Sequence, residues 1–434
     1  MKKEKFPGTW TANAVAGSFK AGAAATMPHF MEYAIEGLLP KTGASIWFGP
    51  GSTGKTQLLL WMAAHIAARQ DSGPSHWLDA KIHKRGQILV LSAEDLREHI
   101  FLRLSGIAKA LKAEYPNIDC EELCNRIHVI PFLSLDEDEF TAPNPSLFKG
   151  RRSRLHASPT LEGIEEFIQK WNDSVGDDDR IVGVIMDSAV SMAGFELANS
   201  EATTDFLFRV NRTSHRQGVF WAIVGHTPKG AAIKDGDPLD GAVDRLRGSA
   251  MWSTTPRTAV ELRLAGDTED LSEVHRAYPE LRRRDIVIAN VVKANSKSAD
   301  FKPRVLRRLA EGAFEDLTTK VPGVCAAWDP TAPVATVAEH GDQLDAVVEL
   351  IRNITDGGKT GETFTREQIE AEFREKSSSI PALASMIGDA SKKKRTTRGT
   401  LAHAIGSLTK TQALKVQRTG KISVINLPSL ALAA

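Results

Sequence analysis

Cysteine is scarce in this sequence, with three thiols (Cys120, Cys124 and Cys325) among 434 residues. Their odd number and the lack of a Cys-x-x-Cys pair exclude a disulfide framework and a thiolate zinc site, and they fit a reducing compartment. Long apolar runs are missing too. No stretch approaches the roughly 18 apolar residues that a membrane span needs, and the charged start MKKEKFPGTW is not followed by the apolar segment of a secretory signal. The expectation is a cytoplasmic protein without a membrane contact. Net charge is nearly absent: 55 basic against 54 acidic side chains leave +1, which argues against a chain-wide basic footprint for nucleic acid. There is no internal repeat. The 42% apolar and 25% charged content is that of a soluble globular chain, long enough for two or three domains of roughly 100 to 200 residues.

The neutral total is a cancellation. Residues 391–434 hold nine bases (Lys392, Lys393, Lys394, Arg395, Arg398, Lys410, Lys415, Arg418 and Lys421) and no acid, so residues 1–390 carry 46 bases against 54 acids. The chain reads as an entry arm (1–38), an α/β core with a mainly parallel sheet (39–325), a Pro- and Ala-bearing linker (326–342) and a small basic domain (343–434). MEYAIEGLLP, within and after the arm, reads as a short helix ending at Pro40. In the core, apolar runs alternate with longer helical patterns, as βα units do. The candidate strands are 45–49, 87–92, 126–132, 181–188, 218–226, 257–264 and 285–294, and their near-continuous apolar character means that both faces are covered. Residues 133–160 and 227–250 read as long surface loops.

GPGSTGKT (Gly49, Pro50, Gly51, Ser52, Thr53, Gly54, Lys55, Thr56) fills G-x-x-x-x-G-K-[ST] between the strand SIWF and the helix QLLLWMAAHIAARQ. Glycine lets the backbone fold round a phosphate so that N–H groups and the helix N-terminus face the anion. The pattern calls for a nucleoside triphosphate, with Lys55 bridging the β- and γ-phosphates and Thr56 on Mg2+. Asp187, closing IVGVIMDS, is the second metal candidate; the alternative is an Asp capping the next helix. Glu94, two residues past the end of QILVLS, stands where water could be activated, although Ser92 to Asp95 also reads as a near capping box.

The order of a phosphate loop, a strand ending in AED, a strand ending in Asp, a strand ending in GHTPKG, then RGSAMW and VVKAN resembles the RecA-type ATPases. Within them it is most similar to the RepA-like branch, which includes hexameric replicative helicases of some plasmids. The resemblance spans roughly residues 30–315. It implies ATP as the nucleotide, Glu94 as the catalytic carboxylate and His226 as the γ-phosphate sensor, with Lys229 in the same H-x-x-K pattern. The loop from there to Gly248 would face DNA in a central pore. It further implies Arg247 as an arginine finger inserted into a neighbouring subunit, Arg245 or Arg257 being alternatives, and Lys293 as a second cation in trans. A homo-oligomeric ring, hexameric by resemblance, would hold single-stranded DNA.

The C-terminal segment reads as three helices and a hairpin, the order of a winged helix. QLDAVVELIRNI is amphipathic, TREQIEAEFREK is capped by Thr365, RGTLAHAIGSLTK follows, and LKVQRTGKISVINL turns at Thr419-Gly420. Its bases suit duplex DNA, protein contact being the alternative. The functional expectation is a magnesium-dependent ATPase that drives or remodels DNA as a ring. The rivals are an ATP-dependent DNA-binding switch that does not unwind, and a winged-helix repressor that senses nucleotide.

Overall fold

Short β-branched and aromatic runs punctuated by glycine set the first strands. The computed structural model describes residues 32–135, 144–150, 155–227, 245–265, 271–296, 298–309, 312–321, 324, 338–376, 405, 408, 413–417 and 421–426. It divides into two compact units, Met1–Thr331 and Ala332–Ala434.

The first unit opens with β1 (Tyr33–Ile35), β2 (Leu39–Pro40), β3 (Gly43–Phe48) and α1 (Lys55–Ala67). A small ribbon, β4 (His76–Trp77) and β5 (Ala80–Lys81), leads to β6 (Gln87–Ser92), α2 (Arg97–Glu114), α3 (Cys120–Asn125) and β7 (Ile127–Pro131). A second ribbon, β8 (Phe148–Lys149) and β9 (His156–Ala157), precedes α4 (Pro159–Ser174), β10 (Ile181–Asp187), α5 (Ala189–Met192), α6 (Ser200–Gln217) and β11 (Phe220–Val224). The remainder is α7 (Met251–Thr254), β12 (Thr258–Leu264), α8 (Ser272–Ala277), β13 (Ile286–Ala294), β14 (Arg304–Arg308), β15 (Phe314–Asp316) and α9 (Leu317–Lys320).

One nine-stranded sheet runs β15-β14-β13-β12-β3-β11-β10-β6-β7. Neighbours from β12 to β7 are all parallel, and β13, β14 and β15 extend the sheet in antiparallel fashion. Side chains alternate between two cores: along β3, Ile46 and Phe48 face α4 and α6, whereas Trp47 faces α1, α2 and α3. The helices therefore cover both faces, which is the RecA-type α/β arrangement expected. Helix α1 is apolar nearly all round and buried between the sheet and α2, as such a helix must be. Ser158 and Asn199 cap α4 and α6 by accepting from Leu161 N (3.2 Å) and Ala202 N (3.0 Å).

Two expectations fail, the first that residues 133–160 form a surface loop: they carry the β8–β9 ribbon and the start of α4, and Leu147 and Phe148 are buried in the core. The second is MEYAIEGLLP, which is not a helix but the β1–β2 hairpin, because Gly37 takes a left-handed φ of 68° at the turn and Ile35 and Glu36 bond across to the β4–β5 ribbon. Strands β14 and β15 escape the sequence pattern because RVLRR is charge-rich, as suits strands near a sheet edge.

The second unit contains α10 (Ala338–Ile354), β16 (Thr363–Phe364), α11 (Arg366–Lys376), β17 (Leu414–Val416) and β18 (Ile422–Val424), with strands ordered β16-β18-β17. Thr365 caps α11 in a reciprocal box, accepting from Gln368 N at 3.3 Å while Gln368 Oε1 accepts from Thr365 N at 2.8 Å. Val347, Ile351, Phe364, Phe373, Leu414 and Ile422 form its core, joined by the helical residues Ile405 and Leu408. The rest of the expected third helix lies outside the described residues, as do Lys392, Lys393, Lys394, Arg395, Arg398, Lys410 and Arg418. Lys415 and Lys421 are described and exposed. No described helix is long and apolar enough to cross a membrane.

Gly183 on β10 pairs with Phe220 on β11, and a Cβ at 183 would lie 2.0 Å from the Phe220 ring. Gly183→Val should therefore destabilise the first unit by about 1–3 kcal/mol or more through overpacking. Gly176→Ala, where a Cβ meets nothing within 4 Å, should stay within about 0.5 kcal/mol of the parent. Urea unfolding midpoints of the two variants check this.

Candidate functional site

Parallel strands bring their C-terminal ends to one edge, and there β3, β11, β10 and β6 lie side by side. The first loop is GPGSTGKT, and both fixed glycines have steric causes. A Cβ on Gly49 would fall 1.9 Å from the Leu262 carbonyl oxygen, while Gly54, at φ 86°, opens α1 from the left-handed region. Thr53 Oγ1 donates to the Pro50 carbonyl at 2.9 Å, tying the loop to itself. Lys55 Nζ, buried inside the loop, donates to the Gly49 and Pro50 carbonyls at 3.0 and 2.8 Å. Burial lowers its pKa, while the Asp187 and Glu94 carboxylates act the other way.

Asp187 ends β10 and is 1% exposed. Its Oδ2 accepts from Thr56 Oγ1 at 2.7 Å, and its Oδ1 is buried with no hydrogen-bond partner among the described residues. Burial raises its pKa to about 6; the Thr56 bond opposes the rise, and the Glu94 and Asp95 carboxylates add to it. A hydroxyl and an unsatisfied buried carboxylate oxygen side by side fit a divalent cation whose other ligands are water and phosphate. Groups of three or more His, Cys, Asp or Glu, which would bind a metal by protein alone, are absent among the described residues.

Glu94 does not cap the helix after β6, which begins at Arg97 with Leu96 as its cap. Its Oε1 instead accepts from Ser188 Oγ and from Ser191 Oγ, the latter at 2.8 Å. A long carboxylate is thus anchored to the residue after Asp187 and to α5. The two serines carry no sequence signal for this, since the contact joins residues some 94 positions apart. His226 follows β11, with its Nδ1 buried and without a partner among the described residues. Its pKa is lowered, by burial first and then by the Lys55 and Arg247 charges, with Glu94 opposing. Lys55, Asp187, Glu94 and His226 are therefore one electrostatic neighbourhood.

The segment 245–249 returns to this edge. Arg247 is exposed, and its peptide N–H donates to the His226 carbonyl at 2.8 Å. Leu246 packs over Gly225, where a Cβ would meet its Cδ1 at 2.9 Å. Arg245 is not available as a finger: it is buried in a bidentate pair with Glu261, at 2.7 and 2.6 Å, and removing either partner would strand a buried charge. Lys229 and most of the expected DNA loop lie outside the described residues.

Lys293 pairs in register with Ala259, itself beside Ile46, three residues before the loop begins. Its ammonium donates to the carbonyls of Thr254, at 2.8 Å, and Pro256, and burial with the nearby Arg257 lowers its pKa to about 8. Arg257 lies still lower, against Gly43 at the start of β3. Both point away from their own chain's phosphate loop. One arginine that the sequence pattern did not single out does reach that loop: Arg308 on β14 donates to the Ser52 carbonyl at 2.7 Å.

A profile of the family described as AAA domain (AAA_25) matches residues 14–232, just over half of the chain. Among solved structures the chain is similar to one titled "ATPase Domain of G40P", at 11% identity and a TM-score of 0.42, covering 71% of this chain and 99% of that one. It is also similar to "The Structure Of A DnaB-Like Replicative Helicase And Its Interactions With Primase", at 12% identity and a TM-score of 0.41, covering 70% of each. No curated protein matches the chain.

Asp187 gives a pH prediction of definite sign. A carboxylate whose folded pKa is raised binds protons more tightly when folded, so its ionisation costs stability as pH rises from about 4 through 6. Asp187→Asn should leave thermal stability near that of the parent at pH 4 and raise it at pH 7.5 by on the order of 2 kcal/mol. It should also abolish magnesium-dependent nucleotide turnover. Paired melting curves at the two pH values check the first, and phosphate release checks the second.

Proposed function

Since the chain belongs to the AAA domain family, we propose that it hydrolyses ATP to drive movement on, or remodelling of, DNA as a homo-oligomeric ring. The observation that carries the motor reading is the backbone bond between Arg247 and His226. It joins residues on either side of the Gly-, Asp- and Lys-bearing stretch 228–244 at the edge where a γ-phosphate would lie. A change at His226 on hydrolysis would be passed directly to that stretch, which is what a nucleotide-driven DNA loop requires.

In this mechanism the loop from Gly49 to Gly54 turns its N–H groups to the phosphates, and Lys55 leaves the Gly49 and Pro50 carbonyls for the β- and γ-oxygens. Thr56 and Asp187 would hold Mg2+, which supplies positive charge at the β- and γ-phosphates. Glu94, held by Ser188 and Ser191, accepts the proton of the attacking water. The oxygen of that water bonds to the γ-phosphorus as the bridge to the β-phosphate breaks, and ADP departs. Arg247 is proposed as the finger that enters a neighbour's site. Lys293 is proposed as a second trans cation, a role supported by its placement away from its own loop but requiring release of the Thr254 and Pro256 carbonyls.

Lys55→Ala should lose most ATP affinity, whereas Glu94→Gln should retain ATP and cut turnover by about 10² to 10⁴. Turnover by the unaltered chain should rise with single-stranded DNA, and its assembly mass should rise with a non-hydrolysable ATP analogue. A monomer whose hydrolysis ignores DNA would sink the motor reading, and hydrolysis without strand displacement would favour a switch.

The basic C-terminal unit is proposed as a winged-helix-like DNA contact, supported by nine bases without an acid in residues 391–434. Truncation at 391 is a poor test because it removes β17, β18 and the core residues Ile405 and Leu408. The exposed pair offers a cleaner one: replacing both Lys415 and Lys421 with glutamine should make the dependence of DNA affinity on salt shallower by up to about two counterions. An unchanged slope would argue for protein contact instead.

A further inference from the structure

We propose that Arg308 is a positioning residue for the phosphate-binding loop, acting through the Ser52 carbonyl to hold the Thr53 N–H toward the nucleotide. The inference rests on the reading of GPGSTGKT as an ATP site and assigns a task to the antiparallel extension of the sheet.

Ser52 sits at φ 63°, in the left-handed region that costs a non-glycine residue. The peptide that follows it is trans, so its carbonyl and the Thr53 N–H point in opposite directions. The Arg308 guanidinium holds that carbonyl at 2.7 Å, so the Thr53 N–H is turned to the side of the loop opposite Arg308. Loop N–H groups are what bind a β-phosphate.

The arginine is itself held in place. Arg308 pairs across the hairpin with Phe314, and both abut Gly54, a Cβ there lying 3.2 Å from Phe314 Cζ and 3.4 Å from Arg308 Nε. Phe314 is 3% exposed and packs against Trp61 of α1, with ring centroids 5.9 Å apart. The β14–β15 hairpin is thus anchored on the helix that the loop introduces. Arg308 Nε is buried with no partner among the described residues, and burial lowers the pKa of the group. A desolvated cation at this position is further favoured when an anion arrives in the loop.

The test is a cycle on the full chain, with fluorescent ADP and ATP analogues as probes and melting temperature read alongside. Arg308→Ala should weaken ADP and ATP by the same factor, about ten-fold, the size of the left-handed penalty at one non-glycine residue. Ser52→Gly removes that penalty, so in its background the loss on Arg308→Ala should shrink to roughly two-fold or less. Free guanidinium at millimolar concentration should partly restore affinity to Arg308→Ala. Should that variant fail to fold, Arg308→Lys serves in the same cycle with a smaller factor.

Unchanged ADP affinity, a loss confined to ATP, or an equal loss in the Ser52→Gly background would each overturn the proposal. A loss confined to ATP would mean direct contact with the γ-phosphate. If the unaltered chain binds neither probe, the ATP reading of the site fails first and is recognised as such.

Discussion

The hydrogen bond from Thr56 to Asp187 joins the helix after the phosphate loop to the end of β10, across the intervening strand β11. Much of the first unit serves that contact. Asp187 is carried into the interior on a strand that is buried throughout, and one of its oxygens is left unpaired there. Such a group is costly, and it persists because two apolar cores fix β3, β11, β10 and β6 with little freedom to relax. The instability is local and chemically directed: the orphaned oxygen lies where a divalent cation would relieve it.

Around that contact the chain places polar groups by tertiary means. Glu94 depends on Ser188 and Ser191 rather than on its own helix. His226 depends on β11 for position and on Arg247 for a backbone link to the returning loop. The buried Arg245–Glu261 pair anchors that return to β12, a strand that also borders the phosphate-loop strand. The residues proposed for hydrolysis and the described return at residues 245–247 therefore share the same few strand ends.

Charge is distributed as sharply as the fold. Residues 1–390 are net acidic and residues 391–434 wholly basic, so the total of +1 conceals two regions of opposite character. The second unit has its own core and its own capped helix.

The order of strands and helices, the phosphate loop and the carboxylates at strand ends were legible from periodicity and motif, because covered parallel strands and glycine-dependent loops leave local signatures. Other features were not. MEYAIEGLLP looks helical by local pattern and becomes a hairpin because Gly37 turns and a distant ribbon supplies its pairing. Arg308 is one base among many until β14 lays it against Ser52. Arg245 looks as free as Arg247 until Glu261 buries it. The sequence by itself determined which chemistry the first unit is equipped for, since that depends on residue types at short spacing. Only the tertiary structure decided which charges are committed to the frame and which face the site, because that depends on contacts between residues distant in the chain.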